Sequence, residues 1–324
     1  MQTSTALLSP MMPRQRRTLQ LFIGLSLGLA LGLLAGALSS AQLHLAPQPT
    51  ANAIPPEEAI VAPAPALPPQ FEVIELPHSK VYTVTIADPQ AYPIRVSLPE
   101  NLVPLDQMAQ RLNALIAINA GFFDPNNGQT TSYVVSSQEL VADPRQNPRL
   151  MGNPDLTRYL DQILNRSEFR RYDCEGAAQY DITLHSAPVP ANCTLIDAVG
   201  AGPQLLPQST AYEEAFIGYG ADGAINRDAL GSRSRNARSA IGIKPDGSLV
   251  LVMAAQKPGV SPSGMSFADL SDFLTSLGVE KALNLDGGSS SSLFQAGTTH
   301  YGRLDQDGNW VRRPVKSIFW VAQP

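Results

Sequence analysis

The stretch Lys281-Ala282-Leu283-Asn284-Leu285-Asp286-Gly287-Gly288-Ser289-Ser290-Ser291-Ser292-Leu293 organises the reading of this chain. An apolar, strand-like run ends on one carboxylate, Asp286, and two glycines and four serines follow it. Glycines let the backbone turn sharply, and the N–H and O–H donors of such a turn suit a polar, anionic ligand. A Gly/Ser turn also serves as plain punctuation after a strand. Its meaning depends on what the rest of the chain brings to it.

Upstream, Ser266 has the position of a helix cap, with Phe267, Leu270, Phe273, Leu274 and Leu277 at helical spacing and Gly278 as the stop. Before that helix, Ala240 to Lys244 and Leu249 to Met253 flank Pro245-Asp246-Gly247-Ser248, which predicts a hairpin with an Asp-Gly turn. The segments starting at Phe71, Val81 and Tyr92 alternate with a period of two, as half-buried strands do. Leu102 to Leu112 has helical spacing and leads into a buried strand, Ala114 to Asn119. The polar stretch 143–192 interrupts this pattern, carries a plausible amphipathic helix from Pro154 to Phe169, and reads as an insertion. The expected class is α+β: a strand-rich mixed-sheet core with a few packed helices, spanning 71–324.

Ahead of this domain, Arg14, Arg16 and Arg17 precede an uncharged, Leu/Gly/Ala-rich run from Thr18 to about Gln42. Segment 1–44 fits a secretory signal peptide or a single membrane anchor, and either one exports the remainder, to a periplasmic, lumenal or extracellular space. Residues 45–70, rich in Pro and Ala, read as a semi-extended linker. In an exported protein the two cysteines, Cys174 and Cys193, are expected to form a local disulfide. The four histidines are scattered, so imidazole-based metal catalysis is not indicated. No cofactor is assigned, and a divalent cation at Asp286 or Asp124 stays open. The formal net charge of −5 removes the general attraction that a nucleic acid would need.

Taken in order, Ile118-Asn119-Ala120-Gly121-Phe122-Phe123, Gly202-Pro203-Gln204-Leu205, Ala237-Arg238-Ser239-Ala240-Ile241-Gly242, Asn284-Leu285-Asp286-Gly287-Gly288 and Arg313-Pro314-Val315 resemble the phosphodiester glycosidase family over roughly Phe71 to Val321. The family usually has a third glycine where this chain has Ser289, a small change in a turn. The resemblance implies hydrolysis of a sugar-1-phosphodiester, with a carbohydrate or glycosyl phosphate as the partner. Such a reaction breaks the anomeric C–O bond through an oxocarbenium-like state, and the departing phosphate needs charge stabilisation more than general-acid help.

On that basis Asp286 is the candidate nucleophile or general base, and Arg238 and Arg313 are the candidates to hold the departing charge. Asn119 is expected to orient the sugar. Gly287 and Gly288 let the ring approach, Ser290 and Ser291 offer donors to phosphate, and Asn284 and Gly121 lie in the same motifs as substrate-binding candidates. Asp124, before Pro125, has the position of a turn-former and is the candidate second carboxylate. The alternative reading is a non-catalytic module that binds envelope polysaccharide, held at the membrane by an uncleaved N-terminal segment.

Overall fold

The computed structural model of the protein describes residues 66–323. The expected signal or anchor, and the linker as far as residue 65, lie outside the described residues. Among the described residues no helix is long and apolar enough to cross a membrane.

The sequence Leu249-Val250-Leu251-Val252-Met253 shows how the layers form. In a strand, successive side chains point to opposite faces, so a continuous apolar run requires cover on both sides. Leu249, Leu251 and Met253 enter one core and Val250 and Val252 another. The strand Leu249–Ala255 lies within a six-stranded sheet, between Lys80–Ile86 and Arg238–Ile243. Gln70–Glu75 forms one edge of that sheet, and Lys281–Asn284 and Gln204–Leu206 complete the other side. On the outer face, Leu270 and Leu274 of the helix Phe267–Ser276 pack on Val250, Val252 and Ala240. Ser266 caps this helix in a capping box with Asp269, and Gly278 follows its end at φ +76°.

A second sheet has five strands in the order Thr298–Tyr301, Ser292–Gln295, Ala114–Asn119, Ile318–Ala322, Arg95–Ser97. Ile116 and Ile118 face the central core shared with the six-stranded sheet, whereas Ala117 faces Leu105 and Met108 of the helix Leu105–Arg111. The result is a helix–sheet–sheet–helix arrangement. The α+β class follows from it. The sheets differ from the mixed arrangement expected, since every strand pairing is antiparallel among the described residues.

The segment 143–192 contributes to a third sheet, Glu139–Ala142, Val134–Ser136, Cys193–Gly200, Ser167–Cys174, Ala177–Leu184. The helix expected from Pro154 to Phe169 is confined to a 3-10 turn, Thr157–Tyr159, and a short helix, Leu160–Ile163. The chain then enters a strand at Ser167. That strand looks polar in sequence because Glu168 and Arg170 lie inside it, paired at 2.8 Å with both side chains 3% exposed. A buried charge survives only when paired and hydrogen-bonded, and Arg170 also donates to the carbonyls of Leu184, His185 and Ala187. Phe169 and Ile182, from the same hairpin, join the central core.

Cys174 and Cys193 form a disulfide where the strands Ser167–Cys174 and Cys193–Gly200 pair, across a separation of 19 residues. Closing a loop of this size stabilises by about 3 kcal/mol. Reduction, or a Cys174→Ser/Cys193→Ser double variant, is expected to lower Tm by roughly 6–12 °C. A calorimetric scan with and without reductant checks this.

Candidate active site

Three of the quoted motifs meet at one corner, because strand pairing brings them there. Ala240 pairs with Asn284, so the antiparallel register sets Arg238 across from the residues that follow Asn284. The turn is tied down on both sides: Leu285 N–H donates to Ser239 O at 2.9 Å, Asp286 N–H to Ala120 O at 2.9 Å, and Gly288 N–H to Ala237 O at 2.8 Å. A cleft of about 230 Å³ opens there. Asp286, Gly287, Gly288, Asn284 and Arg238 all line it, and Phe122, Asn236, Ser289 and Arg303 complete its polar and aromatic wall.

Asp286 sits two residues beyond the strand end, partly buried. Burial pushes its carboxyl up to about 6, against the pull of the Ser290 hydroxyl, the Arg313 guanidinium and the Gly287 N–H. A carboxylate placed this way is a base matched to near-neutral pH. Gly287 has the Ala237 carbonyl 3.2 Å from where a Cβ would stand. Gly288 adopts φ +60°, a conformation glycine takes without strain, and a Cβ there would lie 3.5 Å from Arg303 Nη1. The two glycines keep the turn open beside the carboxylate.

Asn119 takes up a different role from the sugar contact expected of it. It is fully buried, its Nδ2 donates to Asp286 O at 2.6 Å, and its Oδ1 accepts from Ser239 Oγ at 2.7 Å and Ser292 N–H at 3.1 Å. It positions the turn that carries Asp286. Gly121 is likewise interior: a Cβ there would lie 2.7 Å from Gly200 O and 2.9 Å from Val199 Cγ1. Its lack of a side chain allows the third sheet to approach.

Arg238 lines the cleft, but its guanidinium is largely occupied by the protein. It donates to four main-chain carbonyls, Met265 O, Leu230 O, Gly231 O and Ser234 O, at 2.7–3.1 Å. It also stacks over the Phe267 ring at 4.6 Å. Burial lowers it to about 10, which leaves it charged at neutral pH. Arg238 therefore shapes the 230–234 loop on the cleft rim. Arg313 is half-buried, stands over Phe123, and donates from Nη1 to Ser289 Oγ at 2.8 Å.

The serines divide by side. Ser289 faces the cleft, Ser290 is buried near Asp286, and Ser291 is buried against Gly302, away from the phosphate position expected for it. Asp124 is outside the cleft. Burial raises its carboxyl, but the Asn126 N–H at 2.8 Å and Arg149 Nε at 2.7 Å outweigh that and hold it below its ordinary value. Its place is that of a turn-former with an ion-pair partner.

Arg303 and Ser289 are the site residues that sequence reasoning passed over. Arg303 is exposed, lines the cleft and, like Arg313, forms no ion pair among the described residues. No motif surrounded it. Ser289 was visible as the departure from a third glycine, and its hydroxyl is what holds Arg313 at the turn.

The cleft sets one carboxylate, Asp286, among cationic side chains at a corner of the antiparallel sheets. The family model described as phosphodiester glycosidase matches residues 112–322, and the chain belongs to that family. Among solved structures, the catalytic domain of zebrafish N-acetylglucosamine-1-phosphodiester alpha-N-acetylglucosaminidase, auto-inhibited by its pro-peptide, is similar with a TM-score of 0.60 and 16% identity, over 81% of this chain and 85% of that one. A hypothetical protein from Synechocystis is similar with a TM-score of 0.51 and 20% identity, over 78% of this chain and 61% of that one. At these identities the likeness is one of fold. No curated protein sequence matches the chain.

The raised Asp286 carboxyl has a consequence for stability. Its folded value, about 6, lies above its ordinary 3.8, so the folded state holds this proton more tightly than the unfolded chain does. That contribution is fully present below the ordinary value and is lost as pH rises through about 6. The loss is on the order of 3 kcal/mol. Asp286→Asn, uncharged throughout, is expected to melt higher than wild type above pH 6, with the margin vanishing near pH 4. Tm against pH for the two proteins checks it.

Proposed function

We propose that the protein is an exported hydrolase that cleaves a sugar-1-phosphodiester in envelope or extracellular glycans. The observation that carries this reading is one carboxylate, held near neutral pH by burial, beside a turn flanked by two guanidinium groups free of carboxylate partners among the described residues. The named substrate of the similar zebrafish enzyme belongs to the same chemical class. Export is supported by the disulfide, which suits an oxidising compartment, and by the basic-then-apolar N-terminal sequence.

In this mechanism Asp286 acts as general base. It takes a proton from water, the water oxygen bonds to the anomeric carbon, and the C–O bond to phosphate breaks with its electron pair leaving on the phosphate oxygen. Phosphate departs without a general acid, since its charge is met by Arg303 and Arg313. Asn119 and Arg238 act indirectly, by holding the Asp286 turn and the cleft rim. A base is active when deprotonated, so kcat/KM is expected to rise with pH through about 6 and then level.

With a sugar-1-phosphodiester as substrate, Asp286→Asn is expected to lose 10²- to 10⁴-fold in kcat, roughly the range for general-base removal. Equal turnover by both proteins would sink the mechanism. Arg303→Ala is expected to lower kcat/KM by about 10- to 100-fold, the size of one charge-assisted hydrogen bond. An unchanged value would take Arg303 out of the phosphate site.

A further inference from the structure

A second groove lies beside the Asp286 cleft. It has a volume of about 660 Å³, and Asp155, Arg158, Tyr159, Asn226 and Arg227 line it. One wall comes from the stretch 143–192 that interrupts the core pattern, and the other from the strand Ile225–Asp228, which pairs with Ile217–Tyr219. The second wall runs on into the cleft, because Ala229 and Leu230, the residues that follow the strand, line the Asp286 site. At 3.3 Å per residue, Arg227 and Leu230 are no more than about 10 Å apart along the chain. Behind this wall Ala229 N–H donates to Phe216 O at 2.9 Å, and the Phe216 ring packs on Phe122 of the cleft at 5.8 Å.

The lining of the groove suits an anion. The Arg158 and Arg227 guanidinium groups stand over the Tyr159 ring at 4.7 and 4.8 Å. Packing on a ring holds the guanidinium plane, so less freedom is lost when it forks onto a phosphate. Neither arginine forms an ion pair among the described residues. Arg227 Nε donates to Ala215 O at 3.0 Å, which leaves its terminal nitrogens for a ligand. Asp155 is the one carboxylate on the lining. A third guanidinium, Arg166, lies over Phe216 at 3.7 Å; burial lowers it to about 10, Glu214 pulls against that, and the nearby Arg227 pushes the same way as burial. Glu214 is itself committed to the N–H groups of Ser167 and Gln204 and the Ser167 hydroxyl. With a formal net charge of −5 for the whole chain, this cationic group is a local feature and not part of a general basic surface.

We infer that the groove binds the phosphate of a neighbouring repeat when Asp286 acts on a polymer of sugars joined by phosphodiester bonds. A substrate with a single phosphate engages the cleft alone, whereas a chain that crosses the wall at 227–230 engages cleft and groove together. Arg158 and Arg227 then meet the second phosphate with charge-assisted hydrogen bonds. Affinity gained at the groove raises the occupancy of the Asp286 cleft by polymer over that by a single diester, since the second contact is made within one complex. The interrupting stretch thereby sets the preference for chain length.

The inference rests on the hydrolase reading, and binding and turnover are measured separately so that either can fail alone. Binding is measured by calorimetry on Asp286→Asn, with an oligomer of hexoses joined by 1,6-phosphodiester bonds and with a methyl hexosyl phosphodiester as the single-phosphate ligand. The same protein carrying Arg158→Ala or Arg158→Glu is compared; Arg158 is exposed, so its replacement opens no cavity in a core. Asp286→Asn alone is expected to bind the oligomer about 10- to 100-fold more tightly than the single diester, the size of one or two charge-assisted hydrogen bonds. The preference is expected to fall toward parity with Arg158→Ala, to fall further with Arg158→Glu, and to shrink as salt is raised. Equal affinity for the two ligands, or a preference that survives Arg158→Glu, overturns the inference and leaves the hydrolase reading intact. In wild type the same preference is expected in kcat/KM. Turnover of neither ligand, with the binding preference present and sensitive to Arg158, overturns the hydrolase reading and leaves the groove as a site for the polymer.

Discussion

The hydrogen bonds of Asn119 hold the two main sheets in the relation on which the cleft depends. This side chain ends a strand of the five-stranded sheet and reaches Ser239 in the six-stranded one, while also gripping the Asp286 carbonyl and the Ser292 N–H. Each bond made in the dry interior is stronger than its counterpart in water, and leaving any of these groups unmade would carry a full desolvation penalty. One amide thereby couples the register of both sheets to the position of the Asp286 carboxylate. The carboxylate side chain stays free to face the cleft because its main chain is fixed from behind.

Charge in this protein is sorted by what surrounds it. Arg238 and Arg170 are enclosed and satisfied mostly by main-chain carbonyls, so they act as braces for a loop and a hairpin. Arg303 and Arg313 lie at a partly solvated turn without carboxylate partners among the described residues, which leaves their charge available to an anion. Asp286 is the complement: its burial disfavours ionisation, and nearby donors hold the shift to a value near neutrality. Carboxylates perturbed in this way cluster at functional sites.

Much of the architecture was legible in the chain. The apolar run Leu249 to Met253, the Asp246-Gly247 turn and the Ser266-to-Gly278 helix are local features, each specified by side-chain periodicity or turn chemistry, and each is found where expected. The hairpin Ser167–Cys174 and Ala177–Leu184 was not legible, since its interior-facing Glu168 and Arg170 look like a solvated face until their pairing is known. Glu168 and Arg170 are two residues apart, but the carbonyls of Leu184, His185 and Ala187 that let Arg170 stay buried lie 14 to 17 residues on and leave no local mark. The same limit applied to Arg238, whose motif was visible while its four carbonyl acceptors, up to 27 residues away, were not.

The sequence by itself determined the Leu249-to-Met253 strand, the Ser266-to-Gly278 helix, the Asp286-Gly287-Gly288 turn and the disulfide pair, because glycine conformation, strand alternation and thiol chemistry act over short stretches of chain. Tertiary structure alone decided which side of the turn each serine faces, that Asn119 binds protein rather than sugar, and that Arg303 stands at the cleft. These outcomes depend on which groups strand pairing brings within hydrogen-bond reach, and a residue's type does not carry that information.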